Sequence, residues 1–298
     1  MKRVFKNVNG IITEVLTWGD PFGKGIENVI VCITGNPGVP DFYIDFATEL
    51  YKTLQLPICI IGHAGHIEVP KESFCILTKD DGLYDLKTQV DHKLDLLQNH
   101  ICKNAKIHLI GHSIGAWIIV EILQNNDDVM ERLSSVNLLF PTLQRMAESK
   151  NGRFFNNIFR KVYVFILFLV TLLYLLPEFI LRIIIYLYLK VKCLPYKYGN
   201  SILKLTNPLV IKNIIFMAFD ELDTVQVLNS DGIAKIKHFT NVIYGKNDGW
   251  APLEFIEDLR KFEPCLKMTL AHNVEHAFVL KSSVQVAAMV TDFIQLKI

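Results

Sequence analysis

The chain has 298 residues, 51% of them hydrophobic and 20% charged, with a formal net charge of +1 and a mean hydropathy of +0.29. That length can bury a large core in one α/β domain or two modest ones, and the apolar and aromatic content excludes a disordered chain. With 31 basic against 30 acidic residues there is no cationic excess to neutralise phosphates, so nucleic acid is not an expected partner.

In chain order, short β-rich runs alternate with helical stretches, the pattern of a mostly parallel sheet with crossover helices. Strands are expected at 11–18, 29–34, 57–61, 106–110, 135–140, 241–245 and 266–271. Several are almost continuously apolar, as strands covered on both faces are. Helices are expected at 41–54, 84–101, 114–124, 252–262 and 283–295. The rhythm breaks between about 145 and 235, dividing the chain into a first core part (1–145), an insertion (146–235) and a second core part (236–298). The six cysteines (32, 59, 75, 102, 193 and 265) form no CxxC pair, and Cys32 and Cys59 sit inside apolar runs, which suggests free thiols in a reducing compartment. MKRVFKNVNG is followed by no long apolar stretch, so no cleaved signal peptide is expected.

The apolar surplus lies in the insertion, from Val162 to Leu189. VYVFILFLVTLLYLL runs 15 residues without a charge, Pro177-Glu178 interrupts it, and FILRIIIYLYL continues for 11 residues with Arg182 as its only charge. A 15-residue helix is about 22 Å long, short of the ~30 Å of a bilayer core. Arg153, Arg160 and Lys161 precede the segment and Lys190 and Lys192 follow it, which favours both ends on one side. The expectation is a hairpin bent at Pro177 that dips into one leaflet or a monolayer, with Glu178 and Arg182 paired four residues apart. The competing expectation is a pair of apolar lid helices packed on the core.

The sharpest local signal is IHLIGHSIGAWIIVEIL, a strand that runs into Gly111-His112-Ser113-Ile114-Gly115 and straight into a helix. This is G-x-S-x-G in the strand–turn–helix setting of a nucleophile elbow. The turn is tight enough that Gly111 and Gly115 have no room for side chains, and it presents the Ser113 hydroxyl above the sheet beside the Ile114 N–H. A serine hydroxyl needs a base and an orienting acid, which follow it in chain order in this arrangement. NVIYGKNDGWAP offers Asp248 after a strand, and LKMTLAHNVEHAF offers His272 and His276 after the next. His276 is favoured because His272 lies too near the strand end. Asp220 and Asp223 are weaker acid candidates because they fall in the insertion. Acyl transfer also needs oxyanion donors. Gly35-Asn36-Pro37-Gly38 follows a strand directly, and since Pro37 cannot donate, the Asn36 N–H pairs with the Ile114 N–H in the expected hole. His63 and His66 in GHAGH have a spacing that can suit a metal, but no acid or histidine completes a site, so a structural role is expected. This chemistry calls for no metal or organic cofactor.

TGNPG, GHSIG, YGKNDGW and VEHAF, in this order, resemble the lipid droplet-associated hydrolases, a family of α/β-hydrolases, over almost the whole chain including the apolar insertion. The resemblance implies an α/β-hydrolase fold and a serine hydrolase of neutral lipids, with cholesteryl ester hydrolysis proposed. It also implies a place on lipid droplets and the endoplasmic reticulum, with Ser113 as nucleophile, Asp248 as acid and His276 as base. Two departures from the wider superfamily stand out: Thr34-Gly35 replaces His-Gly before the oxyanion residue, and Glu275 stands where a glycine usually precedes the histidine. A carboxylate there would hold a proton on the base and weaken activity. Alternative readings are a droplet-surface scaffold or lipid-binding protein with little turnover, and a soluble esterase or thioesterase whose insertion is only a lid.

Overall fold

In the computed structural model, which describes residues 1–68 and 83–298, eight strands form one sheet in the order β1-β2-β4-β3-β5-β6-β7-β8. β1 (Lys2–Val8) and β2 (Ile11–Trp18) are an antiparallel hairpin, and β2 pairs antiparallel with β4 (Ile58–Ile61). From β4 onward all pairings are parallel, through β3 (Asn28–Ile33), β5 (Lys106–His112), β6 (Leu133–Leu139), β7 (Thr240–Gly245) and β8 (Lys267–Ala271). Parallel strands need crossovers, and these supply helices to both faces. One face is covered by α1 (Ile44–Leu54) and by the final helix of the chain, which pack on each other; the other by α2 (Leu86–Asp95), α3 (Ile114–Asn125) and α4 (Asp127–Glu131). Val29, Val31 and Ile33 enter one core layer while Ile30 and Cys32 enter the other, so β3 is apolar throughout from Val29 to Ile33. The five cysteines described are all free; Cys75 lies outside the described residues.

Every expected strand forms, with ends moved by at most two residues, and β1 is added. KRVFKNV carries three cations and is not among the expected strands, yet it is an edge strand, where charge blunts further pairing. The stretch expected as one helix over 84–101 is α2 followed by a π-helical turn, Leu96–His100.

Between β6 and β7 lie the helices of the insertion. α5 (Lys150–Phe154) continues through a π-helical turn, Phe155–Phe159, into α6 (Arg160–Tyr174), and α7 (Glu178–Val191) follows the break at Pro177. α8 (Gly199–Lys204), α9 (Pro208–Thr224) and α10 (Ser230–Ile236) return the chain to β7; α11 (Leu253–Glu257) and α12 (Ser283–Gln295) complete the fold. The first apolar arm is longer than the sequence suggests. Lys150–Tyr174 is one helix of 25 residues, about 37 Å, and its most apolar stretch has no buried residue. Arg160 donates to both Asp223 carboxylate oxygens and to the Phe219 carbonyl, fixing the base of this arm to α9. α6 packs chiefly on α9 and α7 on α8, so each arm is supported by a different helix. On α7, Leu181, Ile185 and Leu189 face inward, whereas Phe179, Ile183, Tyr186 and Leu187 are exposed. Arg182 bonds Glu178 at 2.7 Å and also reaches Asn200.

Candidate active site

The sheet register brings the relevant loops together. Ile33 is opposite Gly111, His112 opposite Leu139, Leu139 opposite Ile243, and Gly245 opposite Ala271. The carboxyl ends of β3, β5, β7 and β8 therefore end at one level. The segments beyond them carry Asn36, Ser113, Asp248 and His276, at the edge where open parallel sheets gather ligands.

Ser113 has φ 55° and ψ −120°, a strained conformation for a residue with a side chain. The turn around it is closed. A Cβ on Gly111 would lie 2.7 Å from the Ala116 backbone, and one on Gly115 would lie 2.5 Å from the Ile33 carbonyl oxygen. The Ser113 N–H donates to Leu139 and its carbonyl accepts from Ala116, so the backbone is held from both sides.

Ser113 Oγ lies 2.9 Å from His276 Nε2, and His276 Nδ1 lies 2.7 Å from Asp248 Oδ2. The other Asp248 oxygen accepts the N–H groups of Trp250 (2.8 Å) and Ala251 (3.0 Å). Asp248 is a buried acceptor on both oxygens, so His276 carries its proton on Nδ1 and offers the Nε2 lone pair to the serine hydroxyl. Of the other candidates, His272 is exposed. Asp220 accepts from the Leu86 N–H and Asp223 pairs with Arg160, so neither stands at the base. Glu275, next to His276 in sequence, has an exposed side chain.

Gly35 is beside the serine, where a Cβ would sit 3.0 Å from Ser113 Cβ. Asn36 lines the same cavity as His276, and Ile114 opens α3, where an N–H lies beyond the reach of an intrahelical acceptor. His63 and His66 are buried against Gly38 of this loop, and His66 Nδ1 donates to the Pro37 carbonyl. Burial pushes the His66 ring down to about 3, which keeps it neutral. Among the described residues no group of three or more His, Cys, Asp or Glu stands together as a metal site.

The structure gives roles to three residues that the sequence did not reveal. Tyr43 OH accepts from the Gly35 N–H at 2.8 Å and lies 2.6 Å from His112 Nδ1, while His112 Nε2 lies 2.9 Å from the His276 carbonyl. Only one proton arrangement satisfies all three bonds: Nε2–H donates to His276, and the tyrosine O–H donates to Nδ1. Burial lowers the His112 pKa to about 3, so this ring is a neutral strut tying the Gly35 loop to the His276 loop. The third is Glu221 of α9, whose Oε1 accepts from Asn36 Nδ2.

A cavity of about 510 Å³ leads from Asn36 and His276 past Phe42 to Ile184 and Tyr188 of α7 and Ile202 of α8. It is overwhelmingly apolar, and one wall belongs to the helix whose opposite face is exposed and apolar.

A family model described as lipid-droplet associated hydrolase matches residues 27–279. The lipid droplet-associated hydrolase of Drosophila melanogaster is 35% identical over 303 residues, spanning 99% of this chain and 98% of that protein. Its Homo sapiens counterpart is 32% identical over 305 residues, spanning 95% of this chain and 91% of that protein. Among solved structures, a serine hydrolase involved in carbazole degradation superposes with a TM-score of 0.68 over 99% of both chains at 12% identity, a likeness of fold.

Proposed function

Since the chain belongs to the lipid droplet-associated hydrolase family, we propose that it is a serine hydrolase of hydrophobic carboxylic esters that works at a lipid surface. The observation that carries this reading is the continuous bonding from Ser113 Oγ through His276 to Asp248. Ser113 Oγ attacks the ester carbonyl as His276 Nε2 takes its proton. Asp248 holds the imidazole and stabilises its cationic form, and the N–H groups of Asn36 and Ile114 receive the oxyanion. Collapse expels the alcohol, protonated by His276, and leaves an acyl-Ser113. Water activated by the same histidine then releases the acid. No metal or cofactor enters these steps.

The cavity favours a long acyl chain. At ~30 Å³ per water-sized group, 510 Å³ holds roughly 17 such groups, one extended chain but not a whole steryl ester or triacylglycerol. The remainder of a cholesteryl ester, the substrate suggested by the family, would stay in the lipid phase. The segment from Val162 to Leu189 is the proposed anchor, in a droplet monolayer or the cytosolic face of the endoplasmic reticulum. Its exposed Phe165, Phe168 and Leu172 on α6, with Phe179 and Leu187 on α7, form an apolar surface that water does not favour. Arg160 holds the base of α6 on the protein, so Val162–Tyr174 extends only about 20 Å beyond it, which suits entry into one leaflet and return.

The test is hydrolysis of emulsified long-chain esters by the purified protein and by Ser113→Ala. Loss of turnover on substitution supports the reading, and equal rates overturn it. Separately, a fluorescent fusion lacking 162–189 is expected to leave droplets in lipid-loaded cells, and retention there would make the segment a packed lid.

A further inference from the structure

Asn36 sends its side chain away from the substrate cavity's apolar wall and into the insertion. Its carboxamide Nδ2 donates to the Ile214 carbonyl at 3.2 Å and to Glu221 Oε1 at 2.9 Å. Ile214 and Glu221 are seven residues apart on α9, two turns, so one face of the helix presents both acceptors. The amide has two hydrogens, and these two acceptors account for both. Glu221 is only 2% exposed, and an acid in the interior is costly unless it does something there.

The main chain beside Asn36 is held as well. The Gly35 N–H is held by Tyr43, the Gly35 carbonyl by the Gly38 N–H at 2.8 Å and the Pro37 carbonyl by His66, and the Asn36 side chain adds a tether from this turn to α9. The turn's own bond from Gly38 to Gly35 sets the peptide plane, and the Asn36 side chain on α9 sets where that plane, with its N–H, sits relative to Ser113. We propose that Glu221 is a positioning residue that aims the Asn36 oxyanion donor by holding the Asn36 carboxamide on α9; the inference rests on the serine-hydrolase reading of the site. Burial raises the Glu221 pKa to about 8, so near neutrality it is chiefly an uncharged acceptor, and glutamine is a fair replacement for it. α9 in turn packs on α6 through Phe219 against Tyr163, with ring centroids 5.4 Å apart, so the donor is braced by the same insertion that carries the exposed apolar surface.

The experiment uses the full chain and a soluble p-nitrophenyl ester. Glu221→Leu keeps the bulk and removes the acceptor; Glu221→Gln keeps the acceptor; Asn36→Ala removes the anchored side chain while leaving the backbone N–H. Deleting an oxyanion donor costs about 10²–10³ in kcat, so misaiming one is expected to cost roughly tenfold to a hundredfold, with KM changed by no more than about twofold. Glu221→Leu and Asn36→Ala are expected to show this loss, their double variant to be no worse than either alone, and Glu221→Gln to recover most of the activity. Binding of a trifluoromethyl ketone, which forms a tetrahedral adduct on the serine, is expected to weaken in proportion to kcat/KM. Unchanged kcat in Asn36→Ala, losses that multiply in the double variant, or a Glu221→Gln protein as impaired as Glu221→Leu would overturn the inference. Should Glu221→Leu fail to fold, the Asn36→Ala and Glu221→Gln arms still decide it. Turnover surviving Ser113→Ala would sink the reading of the site itself, whereas a dead Ser113→Ala beside a fully active Asn36→Ala sinks only the role of Glu221.

Discussion

Replacing Asp248 by asparagine changes one atom's chemistry and is expected to nearly silence the protein. The buried carboxylate accepts two backbone N–H groups on Oδ1 and the His276 Nδ1–H on Oδ2. An asparagine of the same shape has one acceptor and one donor end. Turning its NH2 toward Trp250 and Ala251 would set a donor against two donors in a buried site, so the carbonyl must take that position. The NH2 then faces His276 Nδ1, which must become the acceptor, and the imidazole proton moves to Nε2. A protonated Nε2 cannot take the Ser113 proton. In a serine protease the equivalent exchange drops kcat by about 10⁴, which at 1.36 kcal/mol per decade is roughly 5.4 kcal/mol of transition-state stabilisation. The assay is kcat for a p-nitrophenyl ester together with imidazole ¹H–¹⁵N spectra. A kcat within tenfold of the wild type, or a proton still on Nδ1, would refute the reasoning.

Tyr43→Phe strips the Gly35 N–H and His112 Nδ1 of their shared buried partner, and it is expected to destabilise the fold by about 1–3 kcal/mol in urea denaturation, with activity falling as the two loops loosen. Gly35→Ala places a methyl 3.0 Å from Ser113 Cβ and 3.2 Å from the His112 carbonyl, so esterase activity should fall while circular dichroism is unchanged. For Glu221, the native acid keeps its proton up to about 8 while the unfolded acid releases it near the usual ~4.3. The native state therefore holds the extra proton, and this group's cost to stability grows as pH rises through that window. Glu221→Gln carries no such cost, so its melting temperature relative to wild type should rise between pH 5 and pH 8; parallel curves would show that Glu221 ionises normally.

The core was legible because strands buried on both faces must be largely apolar, as Val29–Ile33 is throughout and KIHLI is apart from the exposed Lys106 and the buried His108. The elbow was legible because its two glycines answer a backbone clash that any sequence must avoid. β1 escaped because an edge strand has few buried positions to mark it. The backward extension of α6 escaped because NGRFFNNIF is short of good helix formers and includes a π-helical turn. Asp248 and His276 could be chosen from chain order and turn context. Tyr43, His112 and Glu221 could not be read that way, because their roles come from contacts 69, 164 and 185 residues distant in sequence. The acids at 220, 221 and 223 look alike as letters; burial against Asn36 separates Glu221 from its neighbours.

The central claim is that the bonding from Ser113 through His276 to Asp248 activates the serine, and covalent labelling tests this most directly. The full chain would be incubated with a fluorophosphonate and the modified residue located by peptide mass spectrometry. The account expects one adduct on Ser113, none in Ser113→Ala, and labelling slowed by orders of magnitude in His276→Ala. A wild-type protein that stays unlabelled, or labels as fast without His276, would contradict it.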